Sequence, residues 1–397
     1  DIIYLMAELL VAPEKAEITA EGCTKTAYDM AMGTSQMLGC LTERLQAISA
    51  DATLTCFGQE FNPETYAIAK ADMLIKGGNA SGMKYGDTLS DDAFSGYEFD
   101  YIISNPPFGI DWKREKTQVE SEAKRGFDGR FGPGLPAISD GQMLFLLNGV
   151  RKLKTGSGRM AIIQNGSSLF TGDAGSGASE IRRYVIEGDL VEAIIQMPTD
   201  LFYNTGISTY IWVLTKGKTM QRSGRVQLID ASKCYVKRRK NIGNKRVDLD
   251  DACIRLILRA YEGFADETCE DNGLIVESKV FDNRFFGFTK VTVETAQTDE
   301  HGKPILKKGK KQPVKGASDT EIIPLSEDID AYMKKNVLPY NPLAYIDPAK
   351  DKIGYEVPFT RLFYQFVPPT PSDEIFAEIK ELEAEEAALM KELFGNA

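Results

Sequence analysis

Histidine is almost missing from this chain of 397 residues: there is one, His301, in the polar stretch Gln297-Thr298-Asp299-Glu300-His301-Gly302-Lys303. Acyl transfer through a histidine base and metal centres built from histidine therefore lack their residues, and no metal is expected. Cysteine is sparse too. Six are scattered at 23, 40, 56, 234, 253 and 269 without a Cys-x-x-Cys pair, which argues against both a disulfide framework and a zinc site. Long apolar runs are also lacking: none approaches the roughly 20 residues of a membrane helix, and no secretory leader is visible. A cytoplasmic protein without a membrane partner is expected. Basic residues are outnumbered, 47 Lys and Arg against 58 Asp and Glu, for a net charge of −11. That balance argues against a chain that grips nucleic acid by itself over a wide surface. What is present, 43% hydrophobic and 26% charged residues, describes a large globular core with an accessory region. Residues 1–10 read as an amphipathic helix entered partway, so the chain is expected to begin inside a larger protein.

Apolar, β-branched runs recur at 26–31, 53–57, 99–103, 159–163, 190–197 and 207–214, with helix-like stretches at 34–48, 63–75 and 141–153 between them. This alternation predicts an α/β fold with a mostly parallel sheet. The last two runs are too close for a crossover helix and predict one antiparallel strand. From about Ser223 the pattern loosens, with one more strand expected at Val226 to Ile229. A basic segment runs from Lys237-Arg238-Arg239-Lys240 to Lys245-Arg246, and residues 298–320 are polar and lysine-rich, as an exposed loop would be. At the end, Thr370-Pro371-Ser372-Asp373 fits a helix start. Ile375, Ile379, Leu382, Leu389 and Leu393 then form a coiled-coil-like stripe on an acidic helix.

Chemistry concentrates at Asn105-Pro106-Pro107-Phe108, directly after the run 99–103. Two prolines fix φ and remove two donors, leaving outward carbonyl acceptors. Asn105 adds a side-chain acceptor and Phe108 a flat face for stacking. Together they suit the capture of an exocyclic amino group; a plain turn after a strand is the competing reading. Upstream, ligands of open α/β sheets sit at the carboxyl ends of strands. There Asp29 precedes a turn at Gly33-Thr34, in which Gly33 permits close backbone approach and Thr34 can cap the next helix. Glu60 ends the second run, where a ribose diol finds its acceptor. Asp87, on a turn, can accept from an adenine amino group; an ordinary turn aspartate is the alternative.

In this order the motifs resemble amino-methylating DNA methyltransferases. More closely, the chain is similar to the modification (M) subunit of type I restriction–modification enzymes. Asp29-Met30-Ala31-Met32-Gly33-Thr34-Ser35 resembles the first motif of that family, with Met30 for the usual proline and Ser35-Gln36 for the usual second glycine. Gly58 to Glu64, Asn105 to Phe108, Asp189 to Thr215, Asp319 to Leu325 and Lys352 to Arg361 carry the rest of the likeness. The family's amino-terminal helical domain has no counterpart, which reads as a fragment.

The resemblance implies a Rossmann-like S-adenosylmethionine-dependent methyltransferase with a carboxy-terminal accessory region ending in a long helix. Residues 1–222 would be the catalytic core, 223–297 a core extension with the basic segment, and 298–320 a polar flexible loop. Residues 321–397 would form the carboxy-terminal region with the helix at 371–394. It further implies S-adenosylmethionine bound by Asp29, Gly33, Thr34, Glu60 and Asp87, and transfer to N6 of adenine in DNA at Asn105, Pro106, Pro107 and Phe108. The base would be flipped from the duplex; N4 of cytosine is the related possibility. DNA would be read by a separate specificity (S) subunit, with a restriction (R) subunit and a second M subunit in the full complex. Lys237, Arg238, Arg239 and Lys240 could touch phosphate or form a solvated loop. Arg125 to Gly134 could close over DNA, and the terminal stripe could dock on the S subunit or on this chain's own body. Two rivals remain open: a catalytically weak or inert assembly subunit, and a protein-glutamine methyltransferase.

Overall fold

A computed structural model of the chain describes every residue except 108, 365, 367, 368, 396 and 397, and only the backbone of 392 and 394. Phe108 of the tetrapeptide thus lies outside the described residues. The chain forms two compact units, Asp1–Phe359 and Thr360–Ala397.

In the first unit the strands are β1 Thr24–Asp29, β2 Thr53–Glu60, β3 Met83–Tyr85, β4 Tyr101–Ser104, β5 Arg159–Asn165, β6 Val191–Gln196, β7 Thr209–Thr215 and β8 Arg225–Asp230. After them come β9 Val236–Ile242, β10 Lys245–Asp248, β11 Glu267–Asp271 and β12 Leu274–Asp282. Except for the β9–β10 hairpin, all join one sheet in the order β11-β12-β8-β6-β7-β5-β4-β1-β2-β3. The strands from β3 through β5 are mutually parallel, and β7 runs antiparallel between β5 and β6, as the short 198–206 link predicts. All four residues of β4 and all seven of β7 are buried. Helices cover the sheet, which is why these strands read as unbroken apolar runs rather than alternations. The helix Gln36–Ile48 buries Met37, Leu38, Cys40, Leu41 and Leu45 in the common core, where Leu5, Met6 and Leu9 of the helix Ile2–Val11 also lie. The helix Pro63–Ile75 starts where it should: Asn62 Oδ1 accepts from the Glu64 and Thr65 amides, and proline takes the first position. No helix among the described residues is long and apolar enough to cross a membrane.

Two boundaries move. The sheet does not stop at residue 222: β8 pairs parallel with β6, and β12 adds a second antiparallel strand beside β8, carrying the core to Asp282. These strands mix Arg, Gln, Glu and Lys with their apolar residues, so backbone pairing rather than hydrophobic pattern places them. The stretch 298–320, read as a flexible loop, follows β13 Gly287–Ala296 and holds β14 Leu306–Lys307, β15 Lys310–Lys311 and most of β16 Pro313–Pro324. β13 pairs with β16 on one side and with β17 Ala344–Ile346 and β18 Lys352–Tyr355 on the other. Most of β16 is exposed on both faces, so no apolar periodicity announces it. This second sheet is fastened to the segment just beyond β5: the Val357 amide donates to Leu169 O at 2.8 Å, and the Gly175 amide to Ile353 O at 3.1 Å. The Tyr355 amide donates to Ser179 Oγ at 3.0 Å, and Arg182 Nε to Tyr355 O at 2.6 Å. In the second unit the helix Ser372–Phe394 leaves its stripe uncovered, from Ile375 at 44% to Leu393 at 73% exposed.

Candidate functional site

The carboxyl ends of β1, β2, β3 and β4 meet at one edge, and a cleft of about 630 Å³ opens there. Glu60, Asp87, Asn105 and Pro107 line it together with Met30, Phe61, Trp112 and Phe145. Volume, apolar walls and a few convergent polar groups are those of a site for a nucleoside-sized ligand.

Each wall has a local cause. At the end of β1 the chain turns through Gly33 at φ +53° and Ser35 at φ +67°. Ser35 thus adopts the left-handed conformation that a glycine would take freely, and the turn carries some strain. Ser35, not Thr34, occupies the N-cap of the next helix, and its hydroxyl is buried without a partner among the described residues. Glu60 ties the turn down: Oε2 accepts from the Gly33 amide and Oε1 from the Asn62 amide, both at 2.8 Å. Each oxygen keeps a second lone pair for a ligand hydroxyl. Asp87 Oδ1 accepts from the Leu89 and Ser90 amides at 2.8 Å, which fixes the carboxylate on its turn at the cleft wall.

Asp29 is placed differently. It is 1% exposed and does not line the cleft. Its Oδ1 accepts from Ser104 Oγ at 2.7 Å and from the Ala31 amide at 3.1 Å, so it joins the turn after β1 to the end of β4. Burial pushes its carboxyl up to about 7, against the pull of those two donors and with the Glu60 charge adding to the rise. A group whose folded value lies above its unfolded one stabilises the fold below the unfolded value and loses that contribution as pH rises to the folded value. Asp29→Asn keeps the acceptor and removes the titration. The variant should therefore gain stability over wild type progressively from about pH 4 to pH 7 and by a constant margin above. Melting temperatures across that range check this, and a gap independent of pH would refute it.

Asn105 follows β4 and is half-buried, while Pro106 is buried and Pro107 exposed. Asn105 Oδ1 is buried and accepts no hydrogen bond among the described residues. Such an orphan acceptor costs roughly 1–3 kcal/mol, and at a cleft wall it is matched by a ligand that brings an N–H donor. The far wall carries Asp111, Arg114 and Glu115. Burial pushes the Glu115 carboxyl up, and the nearby Asp87 and Asp111 charges add to it. Four carboxylates against one guanidinium make the cleft favourable to a cation.

Two groups went unnoticed in the sequence. Arg130, 8% exposed, donates to Thr88 O at 2.7 Å and Leu89 O at 3.0 Å, and pairs with Glu122 through Nη2 at 2.7 Å. It clamps the segment that carries Asp87. Residues 125–134, expected to close over DNA, are thereby anchored at Arg130 and at the buried Phe131. Gln142 accepts from the Asn165 amide at 3.0 Å and donates to Ser167 Oγ at 2.6 Å, holding the end of β5 against Gly141 of the cleft wall. Neither group belongs to a periodic or spaced motif; a lone Arg-Phe in a glycine-rich stretch was the one trace.

The profile described as N-6 DNA Methylase matches residues 1–300. The chain belongs to the N-6 DNA methylase family. It is 28% identical over 267 residues to the type I restriction enzyme MjaIX methylase subunit of Methanocaldococcus jannaschii, covering 66% of this chain and 44% of that relative. It is 27% identical over 319 residues to the HindI methylase subunit of Haemophilus influenzae, covering 78% and 67%. The crystal structure of a type I restriction-modification system methyltransferase subunit from Streptococcus thermophilus superimposes with a TM-score of 0.56 at 27% identity. That match covers 71% of this chain and 55% of the solved one, so the chain spans about half the length of the MjaIX and Streptococcus thermophilus subunits and two thirds of the HindI subunit. The family assignment and the Rossmann-like α/β sheet agree.

The basic segment divides. Lys237, Arg239 and Lys240 are exposed on β9, whereas Arg238 is held by Asp248 at 2.5 Å. Through the Asn244 amide to Tyr203 O and the Arg246 amide to Asp200 O, the β9–β10 hairpin is fixed to the β6–β7 connection at the same edge of the sheet.

Proposed function

We propose that this chain moves the methyl group of S-adenosylmethionine to N6 of adenine in DNA, as the modification subunit of a type I restriction–modification complex. The observation that carries this reading is the orphan Asn105 Oδ1 at the wall of a cation-favouring cleft. Adenine N6 is conjugated with its ring and is a weak nucleophile. Asn105 Oδ1 and the Pro106 carbonyl, both acceptors, draw on its two hydrogens, loosen that conjugation and turn its lone pair toward the methyl donor. Positioning and preorganised acceptors supply the catalysis, with no histidine required. Glu60 and Asp87 are placed to hold the ribose hydroxyls and the adenine amino group of S-adenosylmethionine, which supplies an electrophilic methyl when bound. Asp29, Gly33 and Thr34 shape the turn against it. The target base reaches the cleft by leaving the duplex.

Lys237, Arg239 and Lys240 stand at the same edge and are suited to phosphate; Arg238 serves the hairpin itself. Sequence readout falls to an S subunit, and the R subunit and a second M subunit complete the assembly in the cytoplasm. The uncovered stripe on the helix Ser372–Phe394 is the docking element for a helix of the S subunit. Leu382→Lys with Leu389→Lys should abolish co-purification with that subunit while the melting temperature holds. Retained association would remove the stripe from this role. The activity is tested by incubating the S-bound protein with duplex DNA and S-adenosylmethionine and analysing the digested nucleosides by mass spectrometry. N6-methyladenine is expected; N4-methylcytosine, or no methylated base, refutes the assignment.

A further inference from the structure

Six lysines, at 303, 307, 308, 310, 311 and 315, fall within a stretch that holds no Asp or Glu from 301 to 318, on a chain whose net charge is −11. They are not on a tail. β14 and β15 form a hairpin closed by Lys308 and Gly309, both at positive φ, +52° and +77°. Tight hairpins demand that conformation at both turn positions, and Asn or Gly normally supplies it. A lysine in the first of them accepts strain that an asparagine would avoid. Lys307 faces Lys310 directly across the ribbon. Like charges in that register repel each other. All six side chains belong to exposed residues, and among the described residues none makes an ion pair. A rigid hairpin that accepts turn strain and cross-strand repulsion in order to concentrate positive charge suits a polyanion.

The proposed action of this chain says which one. The hairpin extends the end of the β13–β16 pair beyond Ala296 and Pro313, whereas β18 pairs with the opposite end of β13, Gly287 to Lys290, and it is there that the sheet is tied to residues 169–179. The ribbon thus reaches away from that tie, and its lysines carry positive charge to a surface apart from Lys237, Arg239 and Lys240 of β9. We infer that the β14–β15 ribbon is a second DNA contact, gripping the phosphate backbone of the duplex apart from the flipped base. This rests on the proposed action on DNA and adds a surface to it. Such a contact is electrostatic and blind to sequence, so it fits a subunit whose partner reads the bases.

The test is salt-dependent binding. The S-bound protein is titrated with a fluorescein-labelled duplex between 50 and 200 mM salt, as wild type and with all six lysines changed to Gln. Each phosphate contact contributes about 0.9 to the slope of log K against log salt. The Gln variant should therefore show a slope shallower by up to about 5 and weaker binding at every salt concentration. A variant with all six lysines changed to Arg keeps the charge and should keep the slope. An unchanged slope in the Gln variant overturns the inference, as does lost association with the S subunit at unchanged slope, which would make the ribbon a protein contact. If wild type forms N6-methyladenine and the Gln slope is unchanged, only the ribbon's role fails. If wild type forms none, the underlying reading fails.

Discussion

Asn105→Ala loses methyl transfer by about 10²- to 10³-fold, the usual cost of removing one preorganised polar group from a reacting centre, while its affinity for S-adenosylmethionine stays close to that of wild type. The two halves of this expectation come from different walls. In the proposed reaction, cofactor contacts fall to Glu60 and Asp87, which are held by their own backbone partners and do not depend on Asn105. The reacting amine would meet Asn105 Oδ1, which has no partner among the described residues. Deleting a buried acceptor that has no donor leaves nothing newly unsatisfied, so the melting temperature should hold or rise. Single-turnover kinetics, calorimetry with S-adenosylmethionine and a thermal melt check the three statements on one preparation. A variant that melts early and fails to bind cofactor would make Asn105 a structural turn residue, the reading left open by Asn-Pro-Pro alone.

Arg130→Met should be the most destabilising of the substitutions considered, by about 3 kcal/mol, because Thr88 O, Leu89 O and Asn148 Oδ1 lose a buried donor at roughly 1–3 kcal/mol each, and Glu122 loses its main ion-pair partner. Glu122 loses its Nε and Nη2 donors, and Thr88 O and Leu89 O lose theirs. Burial pushes the Glu122 carboxyl up, yet the hydrogen bonds and charge of Arg130 hold it below its ordinary value, so the carboxylate stays ionised. The catalytic signature should separate from the stability loss. With the 88–90 turn loosened, Asp87 is misplaced, and the KM for S-adenosylmethionine should rise more than kcat falls. Adding Glu122→Gln to Arg130→Met removes a carboxylate left with only Arg125 and the residue-130 amide as partners and should recover part of the stability without restoring KM. A double variant no more stable than the single one would show that the ion pair is not what holds the segment.

The legible part of this protein lay where local chemistry and function coincide. Asn105, Pro107, Glu60 and Asp87 could be singled out from residue type and position after a strand, and the structure brings these four to one cleft. Asp29 was legible as a motif but not as to place: its spacing says nothing of burial, and it holds two strand ends together instead of facing the cleft. Thr34 looked like a cap, yet the chain hands that position to Ser35, because the turn spends one more residue in left-handed geometry.

By itself the sequence determined the strand–helix alternation, the antiparallel return of β7, the tetrapeptide's chemistry and the apolar stripe of the last helix. Each depends on periodicity or on the bonding capacity of neighbouring residues, and both are written along the chain. Only the tertiary structure decided that the strand at 226–229 pairs with β6, that β11 and β12 extend the sheet, that 298–320 carries a lysine-bearing ribbon, and that Arg130 holds the Asp87 turn. Exposed or mixed strands are placed by backbone pairing with a distant partner. A buried arginine is defined by carbonyls about 40 positions away. Neither leaves a local signal, since the groups that satisfy them meet only when the chain has folded.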